Sequence, residues 1–510
     1  MRDSGSARQR TRRGALGALL CAPLAALAQP QRPGQASTAS PELPAAVRSR
    51  LLASGLPLEA FGLCVRDVEH RMPTLALNAE SPYVLASTAK IVTSLAAIDL
   101  LGPHYRWRTH AFAVGPVEQG RLRGNLVIVG GGDPLLSTSA LRSWLHEIRA
   151  RGLQDIGGDI LVDRGAFGLS EADHRSTPWP ASDRPHHVRP DAFTVDEGVL
   201  QVSVKASAAP VRTSRGQAAD TRAVDLQPPL SGLRLLNRVQ PGSDCRLELS
   251  WAHDRGEAQL QIDGQWAAAC GTQTLATVPP VGSDFALRAV AALWAELGGK
   301  LAGRVRQGHV AGRQGEARLP LYGPDGAPIF PWATLVSAPL DEVVRRVNKS
   351  SHNLAARHLL LSLSRGFPGR AATLDGARQS VQAWLLRQGL APGDFDIDSG
   401  SGLSRLERGK PRALAQLLCA AWHSPRSQSF IESLPLAGVD GTLVHRFTEG
   451  AASARAHLKT GTLLDARALA GFVRARSGRV LALVAIANHP DAAMARPALD
   501  GLVEWVAQTG

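Results

Sequence analysis

Lys90 stands out because its type and its position together could support nucleophilic catalysis. The 510-residue chain contains six lysines and fifty-one arginines, so lysine is kept at few positions. Lys90 follows Ser87 by three residues at the start of an apolar, helix-like stretch, and residues at this spacing share one face of a helix. Apolar surroundings and the helix N-terminus both disfavour the ammonium form, which would lower the pKa of Lys90 and let it act as a base toward Ser87. Arginine could not take this role, because it stays protonated.

Two further motifs strengthen this interpretation. The Ser-x-x-Lys spacing is weak on its own, because a serine before an apolar helix is also typical of an ordinary N-cap. Ser351 and Asn353, however, form a Ser-x-Asn motif that starts two residues after Lys349, and Lys459 begins Lys-Thr-Gly-Thr. The three motifs follow the order typical of penicillin-binding proteins and serine β-lactamases.

Each residue of the later motifs has a plausible chemical task. Ser351 can relay a proton between a lysine and a leaving amine, and the carboxamide of Asn353 can hydrogen-bond the acyl side of a substrate. Lys459 offers a charge for a substrate carboxylate, and Thr460 adds a hydroxyl donor. We therefore expect Ser351 to be catalytic and the other three residues to bind substrate.

The backbone of the Lys-Thr-Gly-Thr stretch has its own expected role. Gly461 has no side chain, so an extended peptide can lie against this strand. The N–H groups of Ser87 and Thr462 are the expected donors of an oxyanion hole, where each donor is worth about 3 kcal/mol.

Residues 1–28 are typical of an export signal. Arginines precede an apolar stretch from Ala15 to Leu27, and small residues suit cleavage before Gln29. The apolar stretch is shorter than the ~20 residues of a membrane span. Residues 29–43 resemble a polar linker. We expect an exported, periplasmic protein, and peripheral association with the membrane or the cell wall remains open, as does the export route.

The net charge of the chain limits the classes of partner that we expect. Removal of the signal takes the formal net charge from +13 to +9. A basic exported protein suits anionic envelope polymers or lipid surfaces rather than nucleic acid, although a solvated basic face explains the charge equally well.

The cysteine pattern predicts one disulfide and no metal site. Cys245 and Cys270 lie close together in strand-like stretches, and an oxidising compartment permits their pairing. Cys64 and Cys419 lie in apolar stretches and are expected to be buried thiols. The adjacent pair His186-His187 lies in a proline-flanked loop and is not expected to bind a metal. We expect no metal and no cofactor.

The order of elements predicts an interrupted lobe. Short strands and the Ser87 helix come first, a strand-rich stretch divided by glycine and proline follows, and helices then return. The last three strands include a hairpin whose turn is at residues 477–479, before a closing helix from about Ala493. The segment VIVGGGDP lacks the spacing of a dinucleotide-binding loop and is expected to be a turn.

The chain resembles the D-alanyl-D-alanine carboxypeptidase/endopeptidases, the class C low-molecular-mass penicillin-binding proteins. The resemblance rests on the three motifs, on DSGSGLSR at 398–405, on LPLAGVDGTL at 434–443 and on the 264 residues between Ser87 and Ser351. It implies an α/β multidomain fold whose transpeptidase-like lobe has an antiparallel sheet flanked by helices. The implied boundaries are 44–110 and 312–510 for this lobe and 111–311 for inserted β-rich domains, the inner one at about 190–285.

The resemblance also implies roles that the spacing alone does not. Relatives carry a cysteine pair where Cys245 and Cys270 fall. Asp163 resembles an acidic residue of the inserted domain that approaches the substrate side chain in relatives, although a turn aspartate after a strand is an equal alternative. His352 stands where relatives commonly have aspartate, and Leu85 where they usually have proline.

These observations predict a serine-type D-alanyl-D-alanine carboxypeptidase or endopeptidase that acts on peptidoglycan peptides through an acyl-enzyme on Ser87. β-Lactams are the expected inhibitors, because they would acylate the same hydroxyl. Two alternatives are a β-lactamase or esterase on the same lobe and a non-catalytic wall-binding scaffold. The balance of the two peptidase activities and a homodimeric state remain open.

Overall fold

The chain is described here by a computed structural model. The signal segment, the linker as far as residue 42 and the pair His186-His187 lie outside the described residues. The structure describes residues 43–70, 73–175, 188–205, 211–212, 218–219, 223–254, 257–280, 284–309, 321–322 and 327–510.

Helices of the described residues are α1 (Ala45–Leu52), α2 (Ala89–Leu101), α3 (Thr138–Ala150), α4 (Glu171–Arg175), α5 (Phe285–Glu296), α6 (Leu340–Lys349), α7 (Asn353–Ser362), α8 (Leu374–Arg387), α9 (Pro411–Trp422), α10 (Ser427–Ser433) and α11 (Arg496–Thr509).

Strands of the first half of the chain are β1 (Phe61–Asp67), β2 (Pro73–Leu77), β3 (Tyr83–Val84), β4 (Arg108–Val114), β5 (Val117–Glu118), β6 (Arg121–Leu122), β7 (Asn125–Val129), β8 (Asp155–Ile156), β9 (Ile160–Asp163), β10 (Leu200–Lys205), β11 (Val211–Arg212), β12 (Ala218–Ala219), β13 (Ala223–Gln227), β14 (Arg234–Asn237), β15 (Gln240–Pro241) and β16 (Cys245–Asp254). Those that follow are β17 (Glu257–Trp266), β18 (Thr272–Thr277), β19 (Lys300–Leu301), β20 (Val305–Gln307), β21 (Leu321–Tyr322), β22 (Pro328–Ile329), β23 (Ala333–Val336), β24 (Phe395–Asp396), β25 (Arg408–Gly409), β26 (Ala456–Leu463), β27 (Ala466–Arg474) and β28 (Val480–Asn488).

The main lobe is built on an antiparallel sheet that joins both ends of the chain. Its strand order is β2-β1-β28-β27-β26, so β26 lies at one edge. The predicted hairpin near the end of the chain is confirmed by the pairing of β27 with β28, and the short strands expected before the Ser87 helix pair as β1 and β2. Because β1 pairs with β28, the first and last parts of the chain form one sheet, which confirms the antiparallel lobe flanked by helices.

Side chains along the central strands point alternately to the two faces of the sheet, and each face packs against its own apolar core. In β28, Val484 and Ile486 pack in a core with α2, α6, α7 and α9, whereas Leu483 and Ala485 pack in a second core with α1 and α11. Successive strand residues point to opposite faces, so a strand covered on both faces is apolar throughout. The nine residues of β28 are accordingly buried except for the last.

The inserted part begins with an α/β domain. Its sheet has the order β20-β9-β7-β4-β23, and α3 and α5 pack in the same core as this sheet. Strand β4 starts at Arg108, and its partner β23 ends at Val336, so this sheet extends beyond the expected boundaries 111–311 on both sides. Strand β23 has only four residues, which is too short for a clear pattern, and the sequence therefore did not place it.

The inner inserted domain is the β-rich one. Strands β10, β13 and β18 form one sheet and β14 to β17 another, and both share one core. A disulfide joins Cys245, at the start of β16, to Cys270, in the turn after β17, with 5.6 Å between their Cα atoms. Cys64 and Cys419 are buried thiols, and burial raises their pKa to about 12 and about 11.

A membrane-spanning helix was sought among the described residues only. Within those ranges, each helix is too short or too polar to cross a bilayer.

Candidate active site

Ser87 and Lys90 meet at the start of α2. Ser87 lies in a single 3₁₀ turn, Ala86–Thr88, that leads directly into this helix. Residues 89–98 of the helix are all buried, and Gly102, with φ 84°, ends it. Nζ of Lys90 lies 3.0 Å from Oγ of Ser87, as the spacing predicts.

Two carbonyl groups complete the surroundings of the Lys90 amine. Its nitrogen lies 2.7 Å from Oδ1 of Asn353 and also donates to the main-chain oxygen of Ser401. A neutral amine has two N–H bonds and one lone pair. If both N–H bonds point to these carbonyls, the lone pair faces the hydroxyl of Ser87. The contacts therefore suit a neutral Lys90 that accepts the serine proton.

Burial favours that neutral form. Lys90 is fully buried, and loss of solvation lowers its pKa from 10.5 to about 7. The nearby carboxylate of Glu407 acts in the opposite direction but does not outweigh burial. A base whose pKa lies near neutrality is well matched to removing a hydroxyl proton at neutral pH.

The turn between α6 and α7 carries the second motif. Helix α6 ends at Lys349 and α7 begins at Asn353, so Ser351 lies in the short connection between them. Ser351 has φ 57°, a backbone region that residues other than glycine rarely adopt. Its Oγ accepts a hydrogen bond of 2.9 Å from Nζ of Lys459. The unusual backbone conformation of Ser351 thus directs its hydroxyl toward Lys459 of the third motif.

Lys459 is held inside the edge strand β26. Its side chain is fully buried, and its amine also donates to the carbonyl of Thr460 at 2.9 Å. Burial, and after it the charge of Lys90, lower the pKa of Lys459 well below its usual value. The two amines therefore share one site in which the proton of each disfavours the proton of the other.

Gly461 allows β26 to approach the nucleophile turn. A Cβ at this position would lie 3.0 Å from Cβ of Ala86 and 3.1 Å from the carbonyl of Leu85. Ala86 has φ 46°, directly before Ser87. The close approach brings the backbone of β26 next to Ser87, where the sequence predicts the oxyanion hole with Thr462.

Residues 398–407 support Lys90, although the sequence assigned them no role. The side chain of Glu407 is fully buried and accepts hydrogen bonds from the N–H groups of Gly400 and Gly402, the latter at 2.7 Å. The main-chain carbonyl of Glu407 also accepts a hydrogen bond of 3.1 Å from the N–H of Leu85, two residues before Ser87. Burial, and then the charge of Asp398, raise the pKa of this carboxyl. The family resemblance included DSGSGLSR at 398–405, but it did not indicate which residues this segment contacts.

Gly402 fits against the turn that holds Ser87. With φ 77°, it lies so close that an added Cβ would be 1.8 Å from the carbonyl oxygen of Ala86 and 2.8 Å from the backbone nitrogen of Ser87. Only glycine combines this backbone conformation with this proximity.

Two side-chain contacts with carboxylates anchor the second motif to other parts of the chain. Nζ of Lys349 lies 2.7 and 2.6 Å from the carboxylate oxygens of Asp440, in the block LPLAGVDGTL. His352 accepts the N–H of Ala355 through Nδ1, and its Nε2 lies 2.7 Å from Oε2 of Glu197. The second pair joins the motif to the inserted part of the chain, and periodicity could not have indicated it.

Asp163 ends strand β9 of the inserted α/β domain. It is 1% exposed, and its Oδ1 accepts the N–H of Gly165 at 2.6 Å. The structure therefore places it as a turn-forming aspartate after a strand, and its approach to a substrate stays a prediction. Among the other expected residues, Lys90 contacts Ser87 and Asn353, and Lys459 contacts Ser351. Thr460, Gly461 and Thr462 lie on the same strand as Lys459, and Gly461 lies against Ala86.

The first three residues of the segment VIVGGGDP are the end of strand β7, and its three glycines are not part of a helix. An added Cβ at Gly131 would lie 1.9 Å from the carbonyl oxygen of Arg108. The absence of a side chain therefore allows the two backbone segments to pack closely. Among the described residues there is also no cluster of three or more histidine, cysteine, aspartate or glutamate side chains suited to a metal ion.

Comparison with known proteins finds similarity over most of the chain. The D-Ala-D-Ala carboxypeptidase 3 (S13) family model matches residues 43–509. The chain is 25% identical over 433 residues to the D-alanyl-D-alanine carboxypeptidase DacB of Haemophilus influenzae, which covers 84% of this chain and 85% of that protein. It is 30% identical over 414 residues to the D-alanyl-D-alanine carboxypeptidase of Actinomadura sp. strain R39, covering 78% of this chain and 71% of the relative.

The fold has a solved counterpart. The crystal structure of penicillin binding protein 4 (dacB) from Haemophilus influenzae superposes with a TM-score of 0.72 at 22% sequence identity. The match covers 90% of this chain and 99% of that one, so the inserted domains belong to the shared architecture as well as the main lobe.

Proposed function

The chain belongs to the D-Ala-D-Ala carboxypeptidase 3 (S13) family and is a serine-type carboxypeptidase, and on this premise we propose that Ser87 forms an acyl-enzyme with peptidoglycan stem peptides. The observation that carries the proposal is the contact of 3.0 Å between Ser87 and the buried amine of Lys90. The remaining contacts assign a step to each neighbouring side chain.

Acylation begins with transfer of the Ser87 proton to the neutral amine of Lys90. Oγ then attacks the carbonyl carbon of the penultimate D-alanine, and the N–H groups of Ser87 and Thr462 stabilise the negative oxygen of the tetrahedral intermediate. Asn353, which holds the Lys90 amine at 2.7 Å, is also placed to contact the acyl side of the substrate. Pre-positioned donors of this kind lower the barrier because they need no rearrangement during the reaction.

Collapse of the intermediate breaks the C–N bond. The leaving amine takes up a proton that Ser351 relays from the lysines, since its hydroxyl lies 2.9 Å from Nζ of Lys459. Arrival of a substrate carboxylate favours the charged form of Lys459, which then binds it together with Thr460. Water then attacks the ester carbonyl while the neutral amine of Lys90 accepts one of its protons. Lys90 passes this proton to Oγ of Ser87 as the C–O bond breaks, and the product leaves as a carboxylate.

The same geometry supports acylation by β-lactams, because their amide carbonyl and carboxylate would occupy the same positions. Incubation with a fluorescent penicillin tests the proposal directly. We expect a covalent label on the wild type and none on Ser87→Ala. Ser81→Ala is a matched control, since Ser81 is an exposed serine of the same segment. An unlabelled wild type, or a labelled Ser87→Ala variant, would overturn the proposal.

Activity on crosslinks is the second part of the proposal. An acyl-enzyme can form whether the leaving group is D-alanine or the side-chain amine of a diamino acid in a neighbouring stem, because the attacked carbonyl is the same. We expect both reactions, measured by chromatography of muropeptides before and after incubation. Rapid turnover of a chromogenic cephalosporin would instead favour the β-lactamase alternative.

We also propose that the protein acts in the periplasm. The arginine-rich, apolar start of the chain and the disulfide Cys245–Cys270 both support an oxidising compartment. Fractionation of cells and determination of the mature N-terminus test this. Recovery of the uncleaved chain in the cytoplasm would contradict it.

A further inference from the structure

Helix α7 begins at Asn353, directly after the turn that carries Ser351, and it is held by the inserted part of the chain. Its residues from Leu354 to Ser362 are all buried. Polar contacts join the helix and its N-cap residue to three inserted segments: His352 to Glu197, Arg357 to the carbonyl of Val188, and His358 to the carbonyl of Gly132. The position of this helix sets where Asn353 lies.

His358 makes a fully buried contact with the inserted α/β domain. Its Nδ1 lies 3.1 Å from the carbonyl oxygen of Gly132. A carbonyl oxygen only accepts hydrogen bonds, so the neutral ring carries its proton on Nδ1. Within the part of the chain that the structure describes, Nε2 has no hydrogen-bond partner. The bond to Gly132 is therefore the contact through which the imidazole is oriented.

The ring of His358 stays neutral when the enzyme works near neutral pH. Burial lowers the pKa of His358 to about 3, although the hydrogen bond to Gly132 raises it. The charges of Arg357 and His352 act in the same direction as burial. The donor on Nδ1 is therefore present at every pH at which Lys90 changes its protonation.

The partner of this ring belongs to the segment VIVGGGDP, which the sequence predicts only as a turn. Gly132 has φ 82°, and an added Cβ would lie 2.7 Å from Cζ of Phe167. Its N–H donates to the carbonyl of Ala192 at 2.8 Å, which fixes the peptide backbone at this point. The ring of Phe167 packs edge-on against that of His358, with 5.0 Å between the centroids. The glycine carbonyl and the aromatic ring thus hold the imidazole together.

We propose that His358 is a positioning residue for acylation: its hydrogen bond holds helix α7 against the inserted α/β domain and so keeps Asn353 beside Lys90. Oδ1 of Asn353 lies 2.7 Å from the amine of Lys90, so a small shift of the helix changes the surroundings of the base. The inserted domain thereby contributes to catalysis through a helix of the main lobe, without contacting the substrate itself. The inference rests on the proposed function and deepens it.

The test compares two amide substitutions at one position. The amide nitrogen of asparagine is bonded to Cγ, as Nδ1 of histidine is, whereas the amide nitrogen of glutamine lies one bond further from the backbone, as Nε2 does. His358→Asn can therefore keep a donor that faces Gly132, and His358→Gln cannot do so without a shift of the helix. Helix propensity predicts the opposite order, because glutamine is the better helix former.

Trp294→Phe is the matched control for loss of a buried hydrogen bond. Nε1 of Trp294 donates to the carbonyl of Lys300 at 3.2 Å, within the inserted α/β domain. Trp294 packs in a core separate from that of α7. The variant should therefore weaken the inserted domain without moving the helix. Penicillin labelling rates at several pH values and a thermal melt are measured for every protein.

We expect His358→Gln to slow labelling between about tenfold and a hundredfold, because a displacement of about 1 Å is enough to misalign a catalytic group. His358→Asn and Trp294→Phe should label close to the wild-type rate. The pH midpoint of labelling should also fall in His358→Gln. The carbonyl of Asn353 favours the charged form of Lys90, and its retreat would lower the pKa of that amine.

The pH midpoint reports on Asn353 because the other groups that act on Lys90 stay in place. Glu407 and Lys459 are the charged neighbours of this amine, and every variant keeps both. A loss of general stability alone would slow labelling without moving the midpoint.

A wild-type rate and midpoint in a folded His358→Gln variant would overturn the inference. Equal losses in His358→Gln and His358→Asn, or in Trp294→Phe, would do the same, because the donor on Nδ1 would then not matter. If His358→Gln does not fold, Phe167→Leu takes its place, since it removes the ring that packs against the imidazole. It should slow labelling and lower the midpoint, and unchanged labelling would again contradict the inference. An unlabelled wild type would instead defeat the proposed acyl-enzyme, so the two failures are distinguishable.

Discussion

The amine nitrogen of Lys90 lies 3.0 Å from the hydroxyl oxygen of Ser87, in a site where the lysine is fully buried. We expect Lys90→Arg to lose acylation even though arginine is also a basic residue, because arginine stays protonated and cannot act as the base. The loss should lie between a hundredfold and about ten-thousandfold in the rate of penicillin labelling. A thermal melt of the same sample checks that the variant folds, and near-normal labelling of a folded variant would contradict the role of Lys90.

Acylation should rise with pH around neutrality. Burial lowers the pKa of Lys90 to about 7, and only the neutral amine accepts the serine proton. Below this value the protonated fraction grows, so the rate should fall about tenfold for each pH unit well below 7. Labelling rates between pH 5 and pH 8, at constant ionic strength, measure the profile. A rate that stays level or falls as pH increases would be inconsistent with a neutral lysine base.

Glu407→Gln should move this profile toward lower pH. The carboxylate of Glu407 raises the pKa of Lys90, so its removal should lower that pKa further. The variant should also label more slowly, because an amide replaces an acceptor of the N–H groups of Gly400 and Gly402. Ser399→Ala is the control, since it removes a hydroxyl donor to Glu407 at 3.1 Å and keeps the charge. An identical pH midpoint in Glu407→Gln and the wild type would contradict the electrostatic coupling.

His352→Asp should be harmful even though relatives commonly carry aspartate at this position. In this chain Nε2 of His352 lies 2.7 Å from a carboxylate oxygen of Glu197, so aspartate would place two carboxylates together. We expect a loss of about 1 kcal/mol in the free energy of unfolding and slower acylation. His352→Asn should cost less, and Glu197→Gln should partly restore His352→Asp. Denaturant unfolding of the wild type, His352→Asp, Glu197→Gln and the double variant measures the coupling, and additive effects would rule it out.

Gly402→Ala should abolish labelling by displacing the turn that contains Ser87. An added Cβ would lie 1.8 Å from the carbonyl oxygen of Ala86, so the backbone before Ser87 must move. Gly393→Ala is a matched control: Gly393 has φ 80°, close to the φ of 77° at Gly402, but nothing lies within 4 Å of its added Cβ. Both variants carry the conformational cost of about 1 kcal/mol. Equal labelling by the two would show that the close contact is unimportant.

The family, the enzyme class and the antiparallel lobe followed from the sequence alone. They could be predicted because local patterns carry them: Ser87 and Lys90 lie within one helical turn, and the turn at residues 477–479 between two apolar stretches marks a hairpin. Three short motifs in a fixed order then indicated one chemistry, and the family comparison confirmed the class. The roles of the individual site residues stay predictions.

Tertiary structure decided which distant groups surround these motifs. Ser401 presents its carbonyl to Lys90 across 311 residues of sequence, and Glu197 reaches His352 from an inserted domain. The extent of the inserted sheet was likewise settled by the pairing of β4 with β23. Such contacts depend on backbone conformation and on packing between remote segments, which residue type and spacing do not encode locally. The sequence by itself therefore determined which residues could react, and the fold determined the buried surroundings that keep Lys90 close to neutral.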